Sequence, residues 1–172
     1  MHPEYPLTRT CLHRYEPFQL NFARRAVQIL PQHGDGSAEA THKGLVLRAE
    51  TETDFQSSIG ILKDYYGDQI QIGSPTVQYH RSSQLEEPHM GVRVLCPQPH
   101  FAAVKADLLA RGASILQEEV TGEFGLVRAS APLAKLLGYP EALAQLTGAS
   151  AREVMWLSHY APVERPPPAQ PT

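Results

Sequence analysis

The sequence is short of several things, and each shortage removes a class of answer. Only two cysteines, Cys11 and Cys96, occur in 172 residues. A disulfide-stapled secreted domain needs a denser framework, so two buried free thiols are expected. Eight histidines and two cysteines form no Cys-x2-Cys or His-x3-His series. An ordinary zinc site needs about four ligands at compatible spacings, and no metal is expected. No apolar run approaches the ~20 residues that span a bilayer. The opening residues, MHPEYPLTRTC, lack the apolar centre of a signal peptide. A soluble cytoplasmic chain with no membrane partner is therefore expected. Excess positive charge is lacking too. The formal net charge is −3, which argues against strong nonspecific nucleic-acid binding, because phosphate contacts need clustered Lys and Arg. No Gly-x-x-x-x-Gly-Lys-Ser/Thr loop is present, so the backbone-amide cradle for a nucleotide phosphate is missing and no cofactor is expected.

What is present is an ordinary globular balance, 42% hydrophobic and 19% charged, enough for one medium domain or two small ones. Residues 1–16 are polar and irregular, with Pro3 and Pro6, and read as a flexible N-terminus. Over 17–30 the pattern is open between one amphipathic helix and two strands. The alternation of Phe18, Leu20 and Phe22 favours strands that turn at Arg24-Arg25. Residues 31–44 gather Gly, Asp, Ser and Pro without periodicity and read as a loop. A strand–helix–strand unit follows, opened by Leu45, Val46 and Leu47. Thr51 or Thr53 is placed to cap its helix, with Glu52 and Asp54 complementing the dipole in the first turn. Phe55, Ile59, Leu62 and Tyr66 form the apolar stripe and Gly67 the stop. Ile70, Ile72, Val77 and Tyr79 return as strand. Residues 17–81 are thus expected to form one α+β module, and 82–88 a polar linker.

Beyond the linker, Val92, Val94 and Cys96 alternate on a strand. Phe101, Val104, Leu108 and Leu109 lie on a helix stopped by Gly112. Two strands follow, then a helix after Pro132 and a last strand over 153–159. This βαββαβ order across 89–163 is the ferredoxin-like sandwich, a four-stranded antiparallel sheet with two helices on one face. The expected fold class is α+β, with two tandem ferredoxin-like sandwiches, the first incomplete unless N-terminal strands finish it. Residues 164–172, with Arg165-Pro166-Pro167-Pro168, read as a disordered tail. A half-module would leave apolar surface uncovered, so the modules should pack closely or the chain should form a homodimer.

Residues 126–160 read LVRASAPLAKLLGYPEALAQLTGASAREVMWLSHY. An apolar strand runs into a helix opened by Pro132, then come Leu137-Gly138-Tyr139, the stop Thr147-Gly148, and a strand ending in His159-Tyr160. Upstream lies Glu87-Pro88-His89-Met90-Gly91-Val92-Arg93-Val94, with Arg111-Gly112 between. Along its whole length this second half resembles the C-terminal domain of translational GTPases of the elongation factor G type. Residues 45–81, closing on Ser74-Pro75-Thr76-Val77-Gln78-Tyr79, are similar to the end of the third domain of those factors. Residues 1–44 match nothing in the family. The resemblance implies a ribosome-related origin. In such factors a large fourth domain separates the strands matched here by Val77-Gln78-Tyr79-His80 and Glu87-Pro88-His89-Met90. That domain reaches the decoding region in translocation, and here only a few residues lie between the two strands. Translocation is therefore not implied, and without a phosphate loop no GTP is expected.

The resemblance also implies contact with ribosomal RNA near the stalk base through exposed helices and loops of the last domain. Arg24, Arg25, Lys105 and Arg111 are the candidate cations for RNA or ribosome contact; the bland reading is solvated surface charge. The second half sets Arg93, Lys105, Arg111, Arg128, Lys135 and Arg152 against Asp107, Glu118, Glu119, Glu123, Glu141 and Glu153. This neutrality weakens the electrostatic part of any RNA affinity and leaves ribosomal protein as a partner. No catalytic residue is assigned. His159 has no visible Ser or Cys nucleophile with a matched third partner, and Glu118 and Glu119 point to opposite faces of a strand. The expected function is that of a non-enzymatic binding protein, derived from a translation elongation factor, at the factor-binding region of the ribosome. The alternative is a ferredoxin-like small-molecule-binding regulatory module.

Overall fold

Leu7 and Cys11 are fully buried, four residues apart on one face of the strand β1 (Leu7–His13). They come from a computed structural model that describes residues 5–31 and 36–164. The expected flexibility of residues 1–4 and of the tail beyond 164 lies outside the described residues. Residues 7–13 correct the expectation for the rest of the N-terminus: they are an inner strand of the first sheet. Arg9 hides the pattern. It occupies the buried face between Leu7 and Cys11, where its guanidinium lies 5.9 Å over the Phe55 ring. Its Nε donates to the Gly73 carbonyl at 2.8 Å. An arginine whose stem packs and whose tip is satisfied reads in sequence as an interruption.

The two strands expected over 17–30 are instead one helix, α1 (Gln19–Ile29), so Arg24 and Arg25 lie on its outer face and not at a turn. Phe22, Ala23, Ala26 and Leu30 are buried, and this helical recurrence outweighs the short alternation around Phe18. Gln19 fixes its start, accepting the His13 amide at 2.9 Å and donating to the carbonyls of His13 and Glu16. The loop expected over 31–44 also contains structure. β2 (Gly36–Thr41) pairs along its whole length with β3 (Gly44–Ala49).

A 3-10 turn at Thr53–Phe55 leads into α2 (Gln56–Tyr66), which Gly67 ends at φ +59°. The helix start uses no threonine side chain; the Asp54 carboxylate instead accepts the Thr51 amide at 3.1 Å. β4 (Ile70–Ile72) returns beside β1, giving the order β2-β3-β1-β4, antiparallel throughout. The first ferredoxin-like sandwich is therefore complete, finished by β1. A short strand, β5 (Thr76–Val77), pairs with the start of β1.

β6 (His80–Arg81) forms a hairpin with β7 (Leu85–Pro97). Most of the expected linker is thereby strand, because Glu86, Glu87 and Pro88 are paired with the end of the chain's last strand. The rest of the second module is α3 (Phe101–Ala110), β8 (Ser114–Thr121), β9 (Phe124–Pro132), α4 (Leu133–Leu136), α5 (Tyr139–Thr147) and β10 (Arg152–Pro162). Its order is β10-β7-β9-β8, the same βαββαβ topology. Gly138 does not bend a helix but separates α4 from α5 at φ +77°. Nothing lies within 4 Å of where its Cβ would be, so backbone conformation and not close approach requires glycine. Tyr139 packs at 0% exposure, in the interior and not at an edge.

The buried residues of both modules form one cluster. Two carboxylates join them as well. Glu50 Oε1 accepts the Leu157 amide on β10 at 2.7 Å, and Glu52 Oε2 accepts the Gly138 amide at 2.8 Å. Glu52, expected to complement the dipole of its own helix, therefore caps the start of α5 in the other module.

Candidate functional site

The helices cover one face of the second sheet. Met90, Val92, Val94 and Cys96 from β7 and Val127, Ala129 and Ala131 from β9 are buried on that face. Strand alternation sends the residues between them to the opposite, open face. Cross-strand register then lines up the open-face rows. Arg152, Leu95, Leu126 and Glu119 form one row, and Val154, Arg93, Arg128 and Gln117 the next. Trp156, Gly91 and Ser130 form a third. Arg93, Gln117, Leu126, Arg128, Val154 and Trp156 line a shallow depression of about 430 Å³.

Gly91 is required where it is. A Cβ there would lie inside the Trp156 indole, so the missing side chain lets the ring lie against the sheet. Val154 is 58% exposed. Arg93 and Arg128 occupy directly paired positions on β7 and β9. Neither forms an ion pair among the described residues; Arg128 donates only to Gln117 Oε1, at 3.4 Å. Like charges directly opposite in a sheet are destabilising.

Charge is thus unevenly distributed within a nearly neutral module. Arg93, Arg128 and Arg152 share the open face with Glu119, which stands diagonally from Arg128 on the adjacent strand and three strands from Arg152, roughly 14 Å at ordinary strand spacing. Three of the other acids are engaged elsewhere. Glu118 binds Lys105 at 2.6 Å and Asp107 binds Arg111 at 3.1 Å. Glu153 faces the first module, where burial first and the Asp54 charge second push its carboxyl above the usual range.

The four candidate cations do not converge. Arg24 and Arg25 lie on α1 in the first module, Lys105 and Arg111 at α3 in the second. Arg24 is exposed and Arg25 is paired with Glu16 at 3.1 Å. Arg111 also lies 5.1 Å over the Tyr139 ring. The open-face trio was only partly legible. Arg93 and Arg128 each sit between buried positions, which assigns their face. Their pairing across β7 and β9 depends on a register that spacing does not reveal. Burial pushes the Cys11 thiol up to about 11 and also raises that of Cys96. Among the described residues no group of three or more His, Cys, Asp or Glu is placed to hold a metal, and no helix is long and apolar enough to cross a membrane.

Helices packed on one face of a four-stranded antiparallel sheet in βαββαβ order define the class, a ferredoxin-like α+β sandwich, and comparison with known proteins gives the family. The family model described as elongation factor G C-terminus matches residues 84–171. The match takes in more than half of the chain, and the chain belongs to this family. Elongation factor G of Granulibacter bethesdensis is 40% identical over 82 residues, 48% of this chain and 12% of that protein. Elongation factor G 2 of Hahella chejuensis is 37% identical over 78 residues, 45% of this chain and 12% of its own length. The protein is therefore derived from a translation elongation factor, and it matches only a small part of these relatives. The crystal structure of a protein from Thermus thermophilus superposes on 98% of this chain and 42% of its own, with a TM-score of 0.66 at 18% identity. At that identity the likeness is one of fold, and it extends across both modules.

Proposed function

We propose that this protein is a non-enzymatic binding protein that docks on the ribosome, near the region where elongation factors bind, through ribosomal RNA or ribosomal protein. The observation that carries the reading is the family match over 84–171, which spans every strand and helix of the second module from β7 onward. Occupancy would come from shape and hydrogen bonding, without chemical turnover and without GTP. Only residues 78–84 separate β5 from β7, and they include β6, so no further domain intervenes between them. The reading places the protein in the cytoplasm. Arg24, Arg25, Lys105 and Arg111 serve it as peripheral cations. The pairs that hold Arg25 and Lys105 lie at the surface, where such pairs are worth about 0–1 kcal/mol, so exchange for a phosphate costs little.

The test is cosedimentation of the purified chain with ribosomes at physiological salt, with and without GTP. Pelleting that is independent of GTP and lost at high salt supports the reading. A chain that stays in the supernatant at every salt concentration overturns it.

A further inference from the structure

We infer that the open face of the second sheet is a binding site for single-stranded RNA, with a base stacked on Trp156 and flanking phosphates held by Arg93, Arg128 and Arg152. The inference deepens the ribosome-docking reading and rests on it for the source of the RNA. Its own support is local.

The first support is a broken rule. Arg93 and Arg128 stand directly opposite each other on an open face, and neither is ion-paired among the described residues, the one carboxylate beside them being Glu119, diagonal to Arg128 on β8. Nothing in the packing of the module needs two adjacent positive charges there, and departures from local consistency concentrate at functional sites. A polyanion removes the cost by occupying the gap between them. The second support is the ring. Trp156 sits diagonally across from Arg93, on the neighbouring strand, within reach for large side chains. It lies over a glycine that would clash with it if it carried any side chain. An indole laid on a sheet face, flanked by guanidinium forks, is what splayed bases and their phosphates require. Leu95, Leu126 and Val154 complete a shallow apolar floor for sugar and base edges.

The same features rank the possible occupants. A double helix hides its base faces and would leave Trp156 without a stacking partner. An acidic protein segment would use the arginines but has no planar face to offer the ring. A single strand uses both. Arginine also suits phosphate better than a point charge would, because its fork binds two oxygens at once. The module's nearly neutral net charge is no obstacle, because three arginines and few acids lie on this face.

Trp156 is the chain's one tryptophan, so intrinsic fluorescence reports the site directly. The probe is a mixed-sequence single-stranded RNA of about ten nucleotides, within the span of comparable sheet platforms. Expected are saturable quenching of Trp156 and a roughly twentyfold loss of affinity between about 50 and 200 mM salt, the size set by three phosphate contacts on a single strand. W156L should weaken binding about fivefold or more, measured by anisotropy of labelled RNA. The double variant R93A/R128A, which touches only the open face, should weaken binding and flatten the salt dependence without lowering the unfolding temperature. It keeps the test decisive if W156L folds poorly.

Absence of RNA binding overturns the inference even if ribosomes still pellet the protein, in which case docking stands by another surface. Binding that leaves Trp156 fluorescence and the double variant unaffected overturns it too. Equal quenching by polyglutamate or by duplex RNA overturns the single-strand assignment. RNA binding that persists in a protein ribosomes do not pellet supports the inference and removes ribosome docking instead.

Discussion

Glu50 Oε1 accepts the amide of Leu157 at 2.7 Å, a hydrogen bond that links the loop after β3 to the outer strand of the other module. An edge strand presents unpaired amides that invite other chains. Here the Glu50 carboxylate from the neighbouring module takes one of them, and two residues on Glu52 accepts the Gly138 amide at the start of α5. The two modules are therefore coupled by charge-assisted hydrogen bonds as well as by apolar burial. Replacing Glu50 by Ala should destabilise the chain by about 1–3 kcal/mol. The measurement is urea denaturation followed by Trp156 fluorescence. An unchanged midpoint would remove Glu50 from the account of the interface.

Glu153 gives a pH signature. Burial first and the Asp54 charge second raise its carboxyl above the ordinary 4.5. The folded state then holds this proton more tightly than the unfolded state does. The stability contribution is complete below 4.5 and is lost as pH rises through the raised value. Glu153→Gln, which carries no charge, should therefore unfold at a higher temperature than the parent protein near pH 7. The difference should close as the pH falls towards 4. A difference that does not vary with pH would refute the assignment.

Gly91→Ala should destabilise by about 1–3 kcal/mol, because the added methyl must displace the Trp156 ring from the sheet. A red shift and altered intensity of tryptophan emission should accompany the loss. Unchanged emission would mean that the ring is held by something other than the open backbone of Gly91.

Arg128→Gln should have the opposite sign. Removing one of two directly opposed arginines relieves repulsion, and a gain of a few tenths of a kcal/mol is expected at low salt. The gain should fade as salt screens the pair. Thermal unfolding at low and high salt is the measurement, and a clear destabilisation at low salt would contradict the like-charge argument.

Cys11 and Cys96 are buried and free, and burial pushes both thiols away from the reactive thiolate. Neither should react with a thiol-specific alkylating reagent in the folded protein near pH 7, and both should react in denaturant. Rapid modification of the native chain would show that one of the two surfaces opens locally.

The second module was largely legible. Its periodicities are clean: Val92, Val94 and Cys96 alternate, Val104 and Leu108 recur at a helical interval, and Gly148 stops a helix where an αL cap is needed. The first was not. β1 hid behind Arg9, whose stem packs against Phe55 while its tip bonds a carbonyl. The Phe18-Leu20-Phe22 alternation suggested a strand where Phe22, Ala23 and Ala26 build a helix face. β2 has no fully buried residue to announce it. Residues 86–88 read as linker because their partners on the last strand, Tyr160, Ala161 and Pro162, lie more than seventy residues away.

By itself the sequence determined the order of elements in the second module, its elongation factor G ancestry and a slightly acidic total charge. These depend on local spacing and residue type, which the chain carries wherever it lies in space. Tertiary structure decided that β1 completes the first sandwich, that Glu50 and Glu52 bind across modules, and that Arg93 meets Arg128 beside Trp156. Those relationships follow from long-range register. Strand alternation chooses a side chain's face, but only pairing between distant segments chooses its neighbour.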